Sequence, residues 1–139
     1  MHHSLDPFFS PRGVAIIGAS AAPNKLSFGI LKNLSEQGYS GQIAPVNPKE
    51  DQILGYKSYP DISSVPDPVD LAVIVLPVGM IPKVLEDCGK RGVKAVVIIS
   101  GGFKEIGPAG AAIEAGLVVT ARKYNMRNVA PHCLGEMAR

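Results

Sequence analysis

Val14-Ala15-Ile16-Ile17-Gly18-Ala19-Ser20-Ala21-Ala22-Pro23-Asn24-Lys25 is the stretch that decides the fold. Val14 to Ile17 is a continuous apolar run rich in β-branched residues, the pattern of a central parallel strand covered on both faces. Gly18 opens a tight turn of small residues. From Ser27 the period changes: Ile30, Leu31 and Leu34 share one helical face, and Gly38 supplies the stop. A parallel strand that feeds a helix through such a turn aims the helix's free N–H groups and positive dipole end at whatever lies above the strand, which suits a phosphate. The three-glycine fingerprint of dinucleotide sites is only partly met, because Ser20 and Pro23 stand where the second and third glycines would fall. Ser20 and Lys25 contribute a hydroxyl and a cation near the helix start instead.

A sequence of 139 residues is long enough for one domain with a sizeable core, and no second domain is expected within it. Residues 1–12 are expected to form an N-terminal arm and residues 13–139 the domain itself; His2 and His3 have the look of purification-tag remnants and are set aside. The 14 basic and 12 acidic residues leave a formal net charge of +2, which implies no broad nucleic-acid surface. An anion site must therefore be local. Cys88 and Cys133 are too few for a disulfide framework and, with no signal-peptide pattern, predict a cytoplasmic protein. The longest apolar run, Leu71 to Val78, is interrupted by Pro77 and falls far short of the roughly 18 residues of a membrane helix.

Either side of the organising turn, the remaining chain reads as repeated strand and helix. Leu5 to Arg12 carries two prolines and the pair Phe8-Phe9, which is read as packing. Gln42 to Asn47 reads as a second strand, with Pro45 arguing against full pairing, and it ends in Asn47-Pro48-Lys49. A nicotinamide site tends to have an acidic residue at that point to hold the ribose; here a lysine stands nearby. Glu50 to Asp70 is turn-rich, with one short edge strand expected around Lys57 to Tyr59. Leu71 to Leu76 predicts a buried strand closed by Pro77-Val78-Gly79, and Met80, Ile81, Val84, Leu85 and Cys88 a helical stripe ending at Gly89 or Gly92. Cys88 on that stripe is read as a small core residue. Ala95 to Ile99 predicts another strand, ending in Ser100-Gly101-Gly102. A last helix over about 109–125 uses Ile113, Leu117, Ala121 and Tyr124 as its inner stripe, weakened by Gly110 and Gly116. Met126 to Ala130 predicts a final short strand.

These units in this order predict an α/β architecture, a Rossmann-like, doubly wound and mostly parallel sheet with helices on both faces. The ligand crevice belongs between the turn after the first strand and the turn after the Leu71–Leu76 strand, where the winding reverses.

Taken together, Leu5 to Arg12, Ile17-Gly18-Ala19-Ser20, Val46-Asn47-Pro48-Lys49, Pro68 to Val73, Ile99-Ser100-Gly101-Gly102-Phe103 and Cys133-Leu134-Gly135 resemble the N-terminal CoA-binding domain of the ADP-forming acyl-CoA (acetate–CoA) synthetases, relatives of the succinyl-CoA synthetase α subunit. The resemblance runs from Leu5 to Gly135. It implies that coenzyme A is the cofactor, with the turn from Gly18 and Ser20 through Ala21, Ala22 and Pro23, and Lys25, at the CoA phosphates. It also implies that Lys49 lies near the adenosine 3′-phosphate, Val75 to Val78, including Pro77, at the adenine, and Ile99, Ser100 and Gly101 along the pantetheine. The residue chemistry agrees: CoA carries a pyrophosphate and a separate phosphate, which a helix start and well-placed lysines suit, and glycines allow a thin amide chain to approach the backbone.

One block departs from the family pattern. Gly-Pro-Asn-Cys-Leu-Gly becomes Ala130-Pro131-His132-Cys133-Leu134-Gly135. In the family a second domain carries a phosphorylated histidine and an ATP-grasp partner supplies the nucleotide, and neither is expected within these residues; His132 sits in a different block. The expected function is thus CoA or acyl-CoA binding without catalysis by this chain alone, as part of or relative to a synthetase, with an ATP-grasp subunit or further synthetase domains as partners. No catalytic residue and no metal ligand is assigned. Two alternatives remain at this stage: an NADP-binding oxidoreductase domain, in which Lys49 selects the 2′-phosphate, and a CoA-sensing regulatory module.

Overall fold

A computed structural model describes residues 11–99 and 108–129. Its centre is a five-stranded, wholly parallel sheet built from β1 (Gly13–Ile17), β2 (Gln42–Val46), β5 (Leu71–Val75), β6 (Ala95–Ile99) and β7 (Arg127–Val129), in the order β2-β1-β5-β6-β7. Between β2 and β5 the chain forms a separate two-stranded hairpin, β3 (Gln52–Ile53) with β4 (Tyr56–Lys57). The helices are α1 (Leu26–Glu36), α2 (Ile81–Arg91) and α3 (Pro108–Lys123).

Alternation along the strands divides the core into two layers. Ala15, Ile17, Ala72, Ile74, Val96 and Ile98 point to the face covered by Ile81, Leu85 and Cys88 of α2 and by Leu117 and Ala121 of α3. Val14, Ile16, Val73 and Ala95 point to the opposite face, where Leu31 of α1 and Ile53 of the hairpin join them. Because both faces are covered, the central strands read as unbroken apolar runs. The stripe expected on the last helix is seen: Leu117 and Ala121 are buried, and Ile113 and Tyr124 pack against the same core. Cys88 is fully buried, and burial pushes its thiol up to about 12, so it packs as a small apolar residue. No helix among the described residues is long and apolar enough to cross a membrane.

Two details differ from the sequence reading. β5 ends at Val75, one residue early, because the chain turns at Leu76-Pro77 into a short 3-10 turn, Val78–Met80, that leads into α2. The edge strand expected around Lys57 to Tyr59 is the hairpin β3–β4, closed by Leu54 and Gly55, both at positive φ (51° and 82°), as two-residue loops that match strand twist require. Tyr59 adds only a single bridge to Val46. Pro45, which argued against full pairing, lies in register with Ile16 on β2, an edge strand paired with β1 alone within the sheet. Its carbonyl faces outward and accepts from the Tyr59 N–H (2.9 Å), so the missing proline N–H also falls on the outer side and β1 loses nothing.

Candidate functional site

Numbered by the five sheet strands alone, the order is 2-1-3-4-5, whose switch point lies between β1 and β5. Ile17 is in register with both Val46 and Ile74, and Val75 with Ile99, so the carboxyl ends of β2, β1, β5 and β6 form one rim. Along it stand, in spatial order, Asn47 and Lys49, the turn from Gly18 to Lys25, Val75 to Met80, and Ile99. The sequence placed its crevice at this rim, and those of the predicted residues that are described, Gly18 to Pro23, Lys25, Lys49, Val75, Pro77 and Ile99, lie along it.

Gly18 is required at the turn. Its φ is +89°, and a Cβ there would overlap the carbonyl oxygen of Val75 on the neighbouring strand. Its N–H and that of Ala19 both donate to the Val46 carbonyl (3.1 and 3.3 Å), so the turn hugs the end of β2. Ser20 is half-buried and its Oγ accepts the Ala22 N–H at 3.0 Å, leaving the hydroxyl proton to be donated elsewhere. The Ala22 carbonyl accepts the Lys25 N–H at 3.0 Å, and the side chains of Ala21, Pro23 and Lys25 are exposed.

Lys25 is the N-cap of α1, in extended conformation, with no side-chain cap and no acidic residue in the first turn. A cation at the positive end of a helix dipole is an unfavourable local choice, and an anion bound there reverses the sign of the argument. α2 repeats the omission: Met80 is its N-cap, again with no side-chain cap and no acid in the first turn. Apolar surface flanks both helix starts, with Leu26 57% and Met80 52% exposed.

Lys49 is exposed, and neither its ammonium nor that of Lys25 has a hydrogen-bond or ion-pair partner among the described residues. Val75 and Ile99 are half-buried at their strand ends, and Pro77 is exposed. Ser100 and Gly101 lie outside the described residues, as do Phe8, Phe9, His132 and Cys133. Leu26 and Asn47 are rim residues to which the sequence reading gave no role, and Met80, expected on the inner stripe of α2, is instead exposed on the rim because it belongs to the 3-10 turn that precedes the helix. The signal available for Asn47 was its place before proline and two residues ahead of Lys49, the pattern of an Asx turn.

A doubly wound parallel sheet with a glycine turn, two helix starts without a side-chain cap and unpaired lysines on its carboxyl rim has the geometry that suits a phosphate-bearing nucleotide. The CoA-binding domain family model matches residues 12–139, and the chain belongs to that family; it is a CoA-binding domain. It is 52% identical over 136 residues to the alpha subunit of acetate–CoA ligase (ADP-forming) I of Pyrococcus furiosus, covering 95% of this chain and 29% of that protein. It is 48% identical to an acetate–CoA ligase (ADP-forming) of Methanocaldococcus jannaschii, covering 91% of this chain and 18% of that one. Among solved structures, a dinucleotide-forming acetyl-coenzyme A synthetase of Candidatus Korarchaeum cryptofilum superimposes with a TM-score of 0.86 at 44% identity, over 91% of this chain and 27% of the other. The chain thus spans less than a third of the length of these relatives. The matches do not favour the nicotinamide alternative.

Proposed function

We propose that this chain holds CoA along the carboxyl rim as the CoA-binding portion of an ADP-forming acyl-CoA synthetase. In the whole enzyme the reaction would convert acyl-CoA, ADP and phosphate to carboxylate, CoA and ATP. The observation that carries this reading is the pairing of two anion-ready positions on one rim. The Gly18–Lys25 turn delivers an uncapped helix start with a free ammonium, and Lys49 stands at the end of the adjacent strand with a second. A ligand with a pyrophosphate and a separate 3′-phosphate fits such a pair better than one with a single phosphate group.

In this reading Gly18, Ser20, Ala21, Ala22, Pro23 and Lys25 surround the pyrophosphate, and Lys49 the 3′-phosphate. Val75 and Pro77 flank the adenine, whose apolar face suits the exposed proline ring. Ile99, Ser100 and Gly101 follow the pantetheine arm. The chain orients CoA and leaves the acyl and nucleotide chemistry to further synthetase domains or an ATP-grasp subunit, so the domain alone is expected to be catalytically silent. Calorimetric titration with CoA, dephospho-CoA and NADP tests the assignment. Saturable CoA binding, weaker dephospho-CoA binding and still weaker NADP binding are expected. NADP binding tighter than CoA, or no CoA binding by the folded chain, would overturn it.

A further inference from the structure

The side chain of Asn47 joins the two anion-ready positions. Its Nδ2 donates to the Ala19 carbonyl at 2.8 Å, inside the glycine turn, while its Oδ1 accepts the Lys49 N–H at 2.8 Å. Its backbone N–H donates to the Tyr59 carbonyl (2.9 Å) and its carbonyl accepts from the buried Ser58 hydroxyl (3.2 Å) and from the Glu50 N–H (3.3 Å). The residue is therefore anchored by the segment that follows the hairpin and ties together two turns 28 residues apart in the chain.

Each side-chain bond has a distinct electrostatic consequence. A carbonyl oxygen is the negative end of its peptide dipole, and left free in the glycine turn it would repel a phosphate. Nδ2 holds the Ala19 oxygen back toward β2. Because the C=O and N–H of a trans peptide point in opposite directions, the same bond turns the Ser20 N–H away from Asn47; that N–H donates to no backbone acceptor among the described residues. The Oδ1 bond closes an Asx turn across Asn47-Pro48-Lys49, which fixes where the Lys49 backbone leaves the end of β2 and hence where its ammonium can reach.

We propose that Asn47 is a positioning residue that sets the two phosphate subsites in register with each other, Nδ2 shaping the pyrophosphate turn and Oδ1 aiming Lys49. The inference rests on the CoA reading of the rim given above. It makes CoA recognition depend on a side chain that need not touch the ligand.

Two substitutions separate the arms. Asn47→Ser keeps a short oxygen able to accept the Lys49 N–H but cannot span to Ala19; Asn47→Ala loses both bonds. CoA and dephospho-CoA are titrated into wild type and both variants, alongside thermal unfolding of each. Wild type is expected to prefer CoA. Asn47→Ser should weaken both ligands alike, on the order of five- to tenfold as one hydrogen bond implies, with the preference intact. Asn47→Ala should weaken both and bring the preference for CoA over dephospho-CoA close to one. If Asn47→Ala does not fold, an equal loss for both ligands in Asn47→Ser carries the test. Variants that only melt earlier, with wild-type affinities and preference, would overturn the positioning role. A wild-type chain that fails to bind CoA would instead overturn the reading of the rim itself.

Discussion

At the amino-terminal ends of the strands, Arg12 closes a two-pronged pair on Asp70 through Nε and Nη2, both at 2.9 Å, and its backbone N–H adds a third bond to the same carboxylate. Gln42 reaches the Pro66 and Pro68 carbonyls, Tyr39 the Pro11 carbonyl, and Arg91 both the Val65 carbonyl and the Asp67 carboxylate. At the carboxyl-terminal ends, Lys25 and Lys49 have no such partners among the described residues, and two helices begin without a side-chain cap. Both rims carry polar and charged groups; at the amino-terminal rim Arg12, Asp70 and Arg91 are paired while, among the described residues, the exposed Lys94 and Arg127 are not, and the carboxyl rim holds its backbone with Asn47 and leaves Lys25 and Lys49 open. The difference marks where a ligand is expected: the carboxyl rim alone sets its open lysines beside a glycine turn and a helix start without a side-chain cap, on a scaffold that is itself tightly bonded.

The largest expected effect falls where scaffold and site coincide. Gly18→Ala should cost about 3 kcal/mol of stability, from positive φ and from overlap with the Val75 carbonyl, measured by urea unfolding. A stability within error of wild type would mean that the turn relaxes freely.

On the open rim, Lys49→Ala should weaken CoA about ten- to a hundredfold, roughly 1.5–3 kcal/mol, with much less effect on dephospho-CoA and little on unfolding. Equal losses for both ligands would remove Lys49 from the 3′-phosphate.

The closed rim should behave in the opposite manner. The Arg12 guanidinium and backbone N–H hold the Asp70 carboxyl below its ordinary range against the opposing effect of burial. A depressed native pKa adds stability that is fully present above the unfolded carboxyl value of about 3.9 and is lost as pH falls through the native value. Asp70→Asn should therefore cost about 1–2 kcal/mol at pH 7, discounted because Arg12 is largely exposed, and close to nothing in strong acid, with CoA affinity unchanged. A pH-independent cost would show that the charge on Asp70 is irrelevant.

The smallest effect is expected from Ser20→Ala, on the order of 1 kcal/mol in CoA binding, since one neutral hydroxyl is removed. Its bond to the Ala22 N–H also orders the turn, so a modest stability loss should accompany it in thermal unfolding.

Local period carried most of the architecture into the sequence. Val14 to Ile17 and Leu71 to Leu76 announced buried strands, Leu117 and Ala121 an inner stripe, and the reversal of winding a crevice between Gly18 and Pro77. Pairings between distant residues left no such mark. Arg12 meets Asp70 across 58 positions and Asn47 meets Ala19 across 28, and nothing in hydrophobic spacing selects either partner. Pro45 argued against full pairing, and β2 is an edge strand; which side of β2 lies open is a property of sheet order that the sequence does not show. Lys25 and Lys49 were legible as cations near turns, but their lack of partners becomes visible only when the neighbouring strands are assembled.

Backbone-amide NMR of the uniformly labelled chain during addition of CoA locates the ligand on one rim or the other. Chemical shifts should move at Gly18, Ala19, Ser20, Leu26, Ser27, Lys49 and Val78, while those of Arg12, Gln42, Asp70 and Arg91 stay in place. Shifts centred on Arg12 and Asp70, or a spectrum unchanged at saturating CoA, would contradict the assignment of CoA to the carboxyl rim.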